Sequence, residues 1–307
     1  MLDILRNIFN SNYFKETPPF DSDFIMSLKE KYWPKFLKKY YLYNLPEKKD
    51  LNLKNPRTFA EKIQWLKLYD NLPIKTTLTD KILVRDFVKE HIGEGYLKNI
   101  LWVGKNFDEI PFESLPEKFY IKTNHGCKWH IYIKNKDKFL QTKILFLYIK
   151  NKFDKWMSSN YFPLSFEPQY KNIIPQLYIE ESLKDENNPF IEIEVICCNG
   201  RPRMYRCIRS YEYNDIDIFD EYFVKIYGSY RAESENDKGT IEKETLKEIS
   251  ELSEKLAKQF KFVRVDWIFY NNKIYFNEMT FTPASGYYHD EMFMSEEMQE
   301  IANSILL

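Results

Sequence analysis

The sequence lacks the features that mark several large classes of protein. No run of apolar residues is long enough to cross a membrane, and residues 1–9 have neither the apolar core nor the small-residue cleavage site of a signal peptide. Positive and negative residues nearly cancel, with a formal net charge of −1 at pH 7. No overall electrostatic field therefore favours a nucleic acid or an anionic membrane as a partner. Together these absences predict a cytoplasmic protein.

Cysteine and familiar catalytic motifs are also scarce. The chain has four cysteines in 307 residues, at positions 127, 197, 198 and 207. Cys197 and Cys198 are neighbours on a predicted strand, where successive side chains point to opposite faces, so they are poorly placed to hold one metal ion. No Cys-x-x-Cys pair, Walker P-loop or Ser-His-Asp signature is present. We predict reduced thiols in the core.

Apolar residues, in contrast, are abundant. Hydrophobic residues make up 44% of the chain and aromatic residues 17%, so 307 residues can bury a substantial core in about two subdomains. Apolar periodicity predicts helices at residues 24–43 and 59–69, in a helical N-terminal region. Docking of this region on a membrane or a partner enzyme is the weaker alternative to core packing. The aromatic residues concerned are Trp33, Tyr40, Tyr41 and Tyr43.

Strands and helices alternate in the rest of the chain. Thr79 is predicted to cap a helix that reaches Glu90, and the Asn199-Gly200 pair predicts a tight hairpin turn. Further helices are predicted at residues 141–157 and 241–259, and strands at residues 97–103, 118–123, 130–134, 173–179, 191–198 and 203–208.

The most informative segment is a hairpin that carries acids on both of its strands. Alternation puts Phe262, Arg264 and Asp266 on one face of the first strand. On the returning strand, the residues that share one face are Ile274, Phe276, Glu278 and Thr280. A buried carboxylate is costly unless it is paired or holds a cation, so these acids suggest Mg²⁺ and phosphate chemistry.

The length of the hairpin turn decides whether the two acids meet. A two-residue turn of Asn271 and Asn272 would set Val265 opposite Glu278, with the acids on opposite faces. A three-residue loop, residues 271–273, would set Asp266 opposite Glu278. The metal site therefore requires the three-residue loop, and the alternative is a surface hairpin with two solvated acids.

The order of the motifs resembles the ATP-grasp superfamily, and more narrowly its TupA-like branch of teichuronopeptide biosynthesis, over residues 55–286. The motifs that carry this resemblance are Asn55-Pro56-Arg57-Thr58-Phe59-Ala60-Glu61-Lys62, Asp80-Lys81, Arg85, Lys122-Thr123-Asn124-His125-Gly126, Asn199-Gly200-Arg201-Pro202, Phe262-Val263-Arg264-Val265-Asp266 and Glu278-Met279-Thr280-Phe281-Thr282-Pro283-Ala284-Ser285-Gly286. The resemblance implies an α+β ATP-grasp fold in which two α+β subdomains clamp ATP. A helical region at residues 1–78 would precede an ATP-grasp domain at 79–307, with a lid at about 113–180 and a metal-binding subdomain at about 190–307.

The resemblance also implies which residues contact the phosphates. Lys81 and Lys122 match the family lysines that reach them, and Lys122 shares a strand face with Tyr120. Residues 124–129 match the loop that covers the phosphates, where His125, Gly126 and Lys128 are candidate contacts. His125 is explained equally well as a structural residue.

This loop departs from the family pattern. Relatives usually have Gly-Ser-Gly-Gly where this chain has Gly126-Cys127-Lys128-Trp129. Fewer glycines predict a stiffer loop with fewer positive-φ positions, in which Lys128 supplies charge instead.

The nucleoside contacts follow from the same resemblance. Residues 178–183 match the adenine hinge, with Glu180, Glu181 and Leu183 as candidates, since main-chain groups there would read the adenine edge. Glu192 matches the acid that faces the ribose. Glu194 stands where relatives tend to have lysine, and we interpret it as a residue on a solvated face.

The metal side is implied as well. Arg264 matches an arginine that faces the transferred phosphate, which makes Arg264 and Lys122 the predicted catalytic residues. Asp266, Glu278 and Thr280 match the ligands of one or two Mg²⁺ ions, with Glu278 as the bridge. Most of the superfamily has asparagine where this chain has Thr280, and a hydroxyl is the poorer ligand.

The implied activity is an ATP-dependent carboxylate–amine ligase that forms an amide through an acyl phosphate. By the same resemblance, the acid would be a uronic acid or a peptide-linked carboxylate of surface (capsular) polysaccharide biosynthesis, and a pathway enzyme could be a partner. The short N-terminal region leaves the loops after Gly200, residues 214–234 or another protein to bind this substrate.

Two other classes of function remain open. A glycosyltransferase would use an Asp-x-Asp metal site, and Asp215-Ile216-Asp217 fits the letters but lies in a predicted loop. A nucleotide-binding module without catalysis is the second alternative, because the phosphate loop is poor in glycine and Thr280 replaces asparagine.

Overall fold

The structure, a computed structural model, describes residues 20–44, 50–183, 190–210, 215–228, 241–287 and 296–307. Its helices are α1 (Ser22–Ser27), α2 (Trp33–Asn44), α3 (Phe59–Tyr69), α4 (Pro73–Thr79), α5 (Val84–Ile92), α6 (Lys136–Gln141), α7 (Lys143–Met157), α8 (Phe162–Ser165), α9 (Lys243–Ala257) and α10 (Glu296–Ser304). Its strands are β1 (Ile100–Gly104), β2 (Phe119–Thr123), β3 (His130–Ile133), β4 (Leu177–Glu181), β5 (Ile191–Cys198), β6 (Arg201–Ser210), β7 (Asp215–Asp220), β8 (Lys225–Gly228), β9 (Phe262–Tyr270) and β10 (Lys273–Thr280).

Two antiparallel sheets organise these elements. The smaller sheet has the strand order β1-β4-β2-β3, and the larger has the order β10-β9-β5-β6-β7-β8. Helices cover parts of both sheets, so the fold is α+β as predicted.

The four-stranded sheet buries one face against α7. Along β2, Phe119 and Ile121 are buried, whereas Tyr120 and Lys122 are only partly buried. Phe119 and Ile121 share a core cluster with Phe153 of α7. Lys122 therefore shares its face with Tyr120, which confirms the prediction from alternation.

The six-stranded sheet is covered differently on its two faces. One face packs completely, with Val265 and Trp267 of β9 in one cluster with α9. On the other face, α3 and α10 cover the end that contains Phe262 and Cys198, and the polar residues of β5, β9 and β10 lie beyond them. Cys197 and Cys198 belong to opposite clusters, and the core thiols predicted from the sequence are confirmed for Cys197, Cys198 and Cys207, whereas the free Cys127 is only partly buried.

The N-terminal helices belong to the packed core. Trp33, Tyr40 and Tyr41 are buried, while Tyr43 is about half exposed. The Tyr40 hydroxyl hydrogen-bonds the carbonyl oxygens of Pro163 and Leu164. Core packing is thus the correct interpretation for three of the four aromatic residues.

Several predicted boundaries are wrong. Thr79 ends α4 and does not cap a helix; instead Asp80 Oδ1 accepts hydrogen bonds from the Ile82 and Leu83 amides before α5 begins at Val84. The helix predicted at 141–157 ends at Met157 as predicted but begins at Lys143, because Gln141 ends the separate helix α6. The strand predicted at 173–179 begins only at Leu177.

Candidate active site

The hairpin turn between β9 and β10 differs from the predicted one. Lys273 pairs with Tyr270, so the turn contains only Asn271 and Asn272, with φ angles of 49° and 56°. Two successive residues with positive φ are typical of a type I′ hairpin turn, which asparagine tolerates well. The prediction of a three-residue loop, on which the metal site depended, is therefore wrong.

A bulge nevertheless brings the two acids together. Phe276 pairs with Trp267 and Glu278 pairs with Asp266, so Asn277 is the extra residue between the two pairs. The extra residue shifts the alternation of side chains by one position, so Phe276 and Glu278 point to opposite faces of the sheet. Ile274 and Phe276 therefore pack in the core with Trp267, and the prediction that they share the face of Glu278 is wrong.

Arg264 joins the carboxylates of this face. Its Nε lies 2.7 Å from Asp266 Oδ1 and its terminal nitrogen 2.6 Å from Asp266 Oδ2, which is a bidentate contact. The other terminal nitrogen lies 3.0 Å from Glu194 Oε1. Glu278 Oε1 is 3.9 Å from the same guanidinium, so three acids surround one arginine.

Glu194 is not on a solvated face. It is 6% exposed, and Arg206 of β6 also donates to its carboxylate. Glu194 pairs in register with Asp266 on one side and with Arg206 on the other. The predicted solvated residue is therefore a buried carboxylate held between two arginines, which sequence reasoning could not recognise because its partners lie on other strands.

The donor set of this face fits a hard cation. Burial raises the pKa of Asp266 most, the Arg264 charge lowers it, and the neighbouring Glu194 and Glu278 carboxylates raise it again, so the net direction favours an added positive charge. Thr280 Oγ1 lies 3.5 Å from Asp266 Oδ2 and 3.4 Å from Glu278 Oε1, so all three predicted ligands converge. No cluster of three or more His, Cys, Asp or Glu side chains forms a metal-ligand set in the described part of the chain. Mg²⁺ needs only one or two carboxylates when phosphates complete its coordination.

A second charged cluster lies on the four-stranded sheet. Lys122 of β2 donates to Glu180 Oε1 of the neighbouring strand β4, and Lys98 Nζ lies 3.2 Å from Glu180 Oε2. Burial alone would raise the pKa of Glu180, but the charges of Lys122 and Lys98 lower it to about 2. Burial lowers the pKa of Lys98 to about 8, and the Glu180 carboxylate limits the fall.

Sequence reasoning missed Lys98. It precedes β1 in a chain with 45 Lys and Arg residues, so its identity gave no signal. Only the fold shows that it is 5% exposed and that its ammonium also donates to Asn277 Oδ1, at 3.0 Å.

The loop between β2 and β3 is held by the segment that precedes α5. Lys81 donates to the Gly126 carbonyl at 2.8 Å, and the Asn124 amide donates to Asp80 at 2.7 Å. A Cβ on Gly126 would lie 2.3 Å from the Trp129 ring, so only glycine fits. Burial and, next, the charge of Glu278 raise the pKa of Cys127 in this loop to about 11.

Two predicted loop contacts have different surroundings. His125 is 2% exposed, and burial lowers its pKa to about 4, so its ring is neutral at pH 7. Its Nε2 donates to the Trp156 carbonyl at 3.1 Å, in a packing position rather than at the loop surface. Lys128 is exposed and takes φ 58°, a positive value that the family pattern would assign to glycine.

The hinge residues are only partly in the described region. Glu181 ends β4, and its carboxylate accepts from the Asn99 backbone amide and side-chain amide, at 2.8 and 2.9 Å. Leu183 is half-buried and borders residues 184–189, which lie outside the described residues. Glu192 is half-buried on β5, two residues before Glu194, and its negative charge raises the pKa of Lys98.

The Asp215-Ile216-Asp217 motif lies in strand β7 and not in the predicted loop. Arg209 lies 2.8 Å from Asp215 Oδ1 and 2.8 Å from Asp217 Oδ2, and Lys225 lies 2.5 Å from Asp217 Oδ1. Both acids are thus neutralised by cations of β6 and β8. Of the proposed substrate loops, the segment after Gly200 is strand β6, which begins directly after the Asn199-Gly200 turn, and residues 214 and 229–234 lie outside the described residues.

Comparison with known families identifies the chain. A family model described as TupA-like ATPgrasp matches residues 61–302. The chain belongs to the TupA-like ATP-grasp family. This membership confirms the ATP-grasp fold inferred from the ordered motifs. The comparison with curated proteins finds no match.

Solved structures of ATP-grasp enzymes are distant from this family member. The D-alanine–D-alanine ligase from Bacillus anthracis, complexed with ATP, is 12% identical with a TM-score of 0.41, over 75% of this chain and 63% of that one. The Helicobacter pylori ligase is 13% identical, with a TM-score of 0.44 over 80% and 69% of the two chains. A biotin carboxylase from Campylobacter jejuni is 11% identical, with a TM-score of 0.43 over 80% and 47%. This chain spans less than two thirds of the B. anthracis ligase.

Proposed function

We propose that the protein is an ATP-dependent ligase that joins a carboxylate to an amine. The observation that carries this proposal is the acid pair of the six-stranded sheet, Asp266 opposite Glu278, with Arg264 between them. Burial favours the neutral form of Glu278, but Lys81, Arg264 and Lys122 together lower its pKa. This electrostatic influence of the lysines on Glu278 supports a site in which both bind one polyanionic ligand.

The proposed reaction has two balanced steps. The terminal phosphoryl group of ATP passes to the carboxylate to give an acyl phosphate and ADP, and an amine then displaces phosphate and loses a proton to give the amide. Charge stabilisation and positioning provide most of the catalysis in such phosphoryl transfers. This requirement agrees with the absence of a nucleophile motif.

The residues of the site have distinct proposed roles. Lys81 and Lys122 bind phosphate oxygens, and the Arg264 fork faces the transferred group, where its planar shape matches developing oxyanion charge. Asp266, Glu278 and Thr280 would hold one or two Mg²⁺ ions, which when bound neutralise phosphate charge. Glu194 and Arg206 keep the guanidinium in place from the opposite side.

The nucleoside side of the site is proposed from family positions. Main-chain groups near Glu181 and Leu183 would read the adenine edge, and Glu192 would face the ribose. Glu180 belongs to the same hinge, where its carboxylate pairs with Lys122. His125 and Gly126 would pack the loop that covers the phosphates, and Lys128 would supply positive charge there.

The acid substrate is proposed from the family name alone. It would be a uronic acid or peptide-linked carboxylate of surface (capsular) polysaccharide biosynthesis, handled in the cytoplasm, where a pathway enzyme could be a partner. No helix in the described residues is long and apolar enough to cross a membrane. The paired Asp215 and Asp217 give no support to the glycosyltransferase alternative.

Mg²⁺-dependent ADP release tests the proposed activity. The purified protein is incubated with ATP and a panel of uronic acids and amino acids, each with and without an amine such as ethanolamine or glutamate. We expect one carboxylate to stimulate ADP release, and the matching amine to yield an amide detectable by mass spectrometry.

Two outcomes would contradict the ligase. If neither free acids nor carrier-bound acids stimulate ADP release while ATP still raises the melting temperature, the protein is a nucleotide-binding module. ADP release that is independent of every acid would indicate an ATPase instead.

A further inference from the structure

The β10 strand contains one residue more than the acid pair requires. After the two-residue turn, a strand without Asn277 would set Glu278 opposite Asp266 in regular pairing. The chain instead has Asn277 at a bulge. Bulges next to functional sites often redirect a side chain. The contact made by the Asn277 side chain therefore indicates what the extra residue does.

That contact crosses from one sheet to the other. Asn277 Oδ1 accepts a hydrogen bond from Lys98 Nζ at 3.0 Å, and the same ammonium lies 3.2 Å from Glu180 Oε2 of the four-stranded sheet. Lys98 is 5% exposed and Glu180 is also 5% exposed. A single buried ammonium therefore bridges the partner of Lys122 and the residue next to Glu278.

The backbone of Lys98 is fixed from outside both clusters. Arg85 of α5 donates to the Lys98 carbonyl at 2.7 Å. Two residues earlier, the Tyr96 ring packs edge-on against Trp267 of β9, with centroids 6.4 Å apart. The ammonium thus reaches Glu180 and Asn277 from a backbone that is held in place. A shift of Glu180 would therefore also change the hydrogen bond between the ammonium and Asn277.

The Lys98 bridge matters when a phosphate and the Glu180 carboxylate compete for Lys122. A phosphate that pairs with Lys122 competes with Glu180 for that lysine. Glu180 is buried, and a buried carboxylate that loses its only cation is strongly destabilised. Lys98 keeps Glu180 paired, so Lys122 is free to turn to the phosphate.

We propose that Lys98 and Asn277 form a positioning link that couples nucleotide binding at Lys122 to metal binding at Glu278. The proposal rests on the proposed function. Neither residue touches the reacting atoms. Lys98 supplies the charge that releases Lys122, and its hydrogen bond holds the bulged Asn277, the residue next to Glu278.

The test measures the coupling between the two ligands. ADP affinity is determined by calorimetry with and without Mg²⁺, and the ratio of the two affinities reports the coupling. We expect this ratio to fall by about fivefold or more in Lys98→Met and in Asn277→Ala, with no further fall in the double variant. Lys98→Arg should restore part of it.

Two further variants separate the link from general effects. Deletion of Asn277 keeps Glu278 opposite Asp266 and removes the amide, so it should also lower the ratio. Lys136→Met is the matched control, because Lys136, the first residue of α6, donates to the carbonyl of Leu115 before β2 and contacts neither cluster in its described hydrogen bond. Its ratio should equal that of the wild type.

The outcomes distinguish the link from the proposed function. Absence of ADP binding by the wild type would overturn both. Normal binding with an unchanged ratio in Asn277→Ala would overturn the link alone, and so would additive losses in the double variant. If Lys98→Met does not fold, Asn277→Ala and the deletion decide the question.

Discussion

The two sheets bring opposite charge patterns toward the proposed ATP site. The four-stranded sheet and its flanking segment combine two lysines, Lys98 and Lys122, with one carboxylate, Glu180. The six-stranded sheet combines the arginines 206 and 264 with three carboxylates, at positions 194, 266 and 278. The first cluster has an excess of cations and suits phosphate, whereas the second has an excess of acids and suits a metal ion.

The two clusters also differ in how the chain builds them. The acid cluster comes from adjacent strands of one sheet, so strand register alone assembles it. The lysine cluster depends on Lys98, which lies outside the strands and is held by Arg85. Strand pairing within one sheet thus assembles the acid cluster, whereas the lysine cluster depends on longer-range contacts.

The largest expected effect is the loss of the acid pair. Asp266→Asn and Glu278→Gln should each lower ATP turnover by about 100-fold or more, because each removes a proposed ligand charge while preserving side-chain shape. Steady-state ADP release across a Mg²⁺ titration is the measurement, with melting temperature as the folding check. Glu244→Gln, an exposed acid in the first turn of α9, is the control. Wild-type turnover with unchanged Mg²⁺ dependence would refute the assignment.

Replacement of the central arginine should have the next largest effect. Arg264→Lys keeps the charge and loses the planar fork that contacts Asp266 twice, so we expect a fall in kcat of about 10- to 100-fold. Arg206→Lys, on the far side of Glu194, should have a smaller effect on kcat. Equal effects of the two substitutions would mean that the arginines serve only to neutralise Glu194.

Lys67 differs from the two lysines that pair with Glu180. It is buried, but it donates to carbonyl oxygens and not to a carboxylate. Lys67 Nζ lies 2.7 Å from the Ser285 oxygen and 3.2 Å from the Ser165 oxygen. Burial lowers its pKa from 10.5 to about 7, and the Glu167 charge limits the fall. Between these values the unfolded chain binds more protons than the folded one, so stability rises with pH in this window.

Lys67→Met removes that titration. The unfolding free energy of the wild type, relative to the variant, should therefore increase on the order of 2 kcal/mol from pH 7 to pH 9. Denaturant unfolding at several pH values measures the difference, and the exposed Lys258→Met serves as the control, which should show a flat difference. A flat difference for Lys67→Met as well would show that Lys67 stays protonated throughout.

The smallest effect concerns the loop that covers the phosphates. Lys128 has φ 58°, so Lys128→Gly should be more stable than Lys128→Ala by about 1 kcal/mol. If the lysine charge serves phosphate binding, both variants should weaken ATP affinity equally, by a few-fold. Preserved affinity in the glycine variant alone would indicate that the backbone conformation matters and the charge does not.

Side-chain alternation predicted much of this site. It placed Arg264 and Asp266 on one face of β9 and Lys122 with Tyr120 on one face of β2, because alternation depends only on the local strand. The register of the hairpin could not be obtained in this way. It depends on the bulge at Asn277, whose hydrogen-bond partner lies 179 residues away in the sequence.

The errors share this dependence on distant partners. Glu194 looked like a solvated acid because the sequence shows no partner beside it, and the fold provides Arg206 and Arg264 from other strands. The Asp215 and Asp217 segment looked like a loop because its acids are neutralised only when Arg209 and Lys225 align beside them.

A crystal structure with Mg²⁺ and a non-hydrolysable ATP analogue would locate the nucleotide and the metal ion directly. We expect phosphates between Lys122 and Arg264, a metal ion bound to Asp266 and Glu278, and Lys98 still paired with Glu180. A nucleotide bound elsewhere, or a metal ion that contacts neither acid, would contradict it.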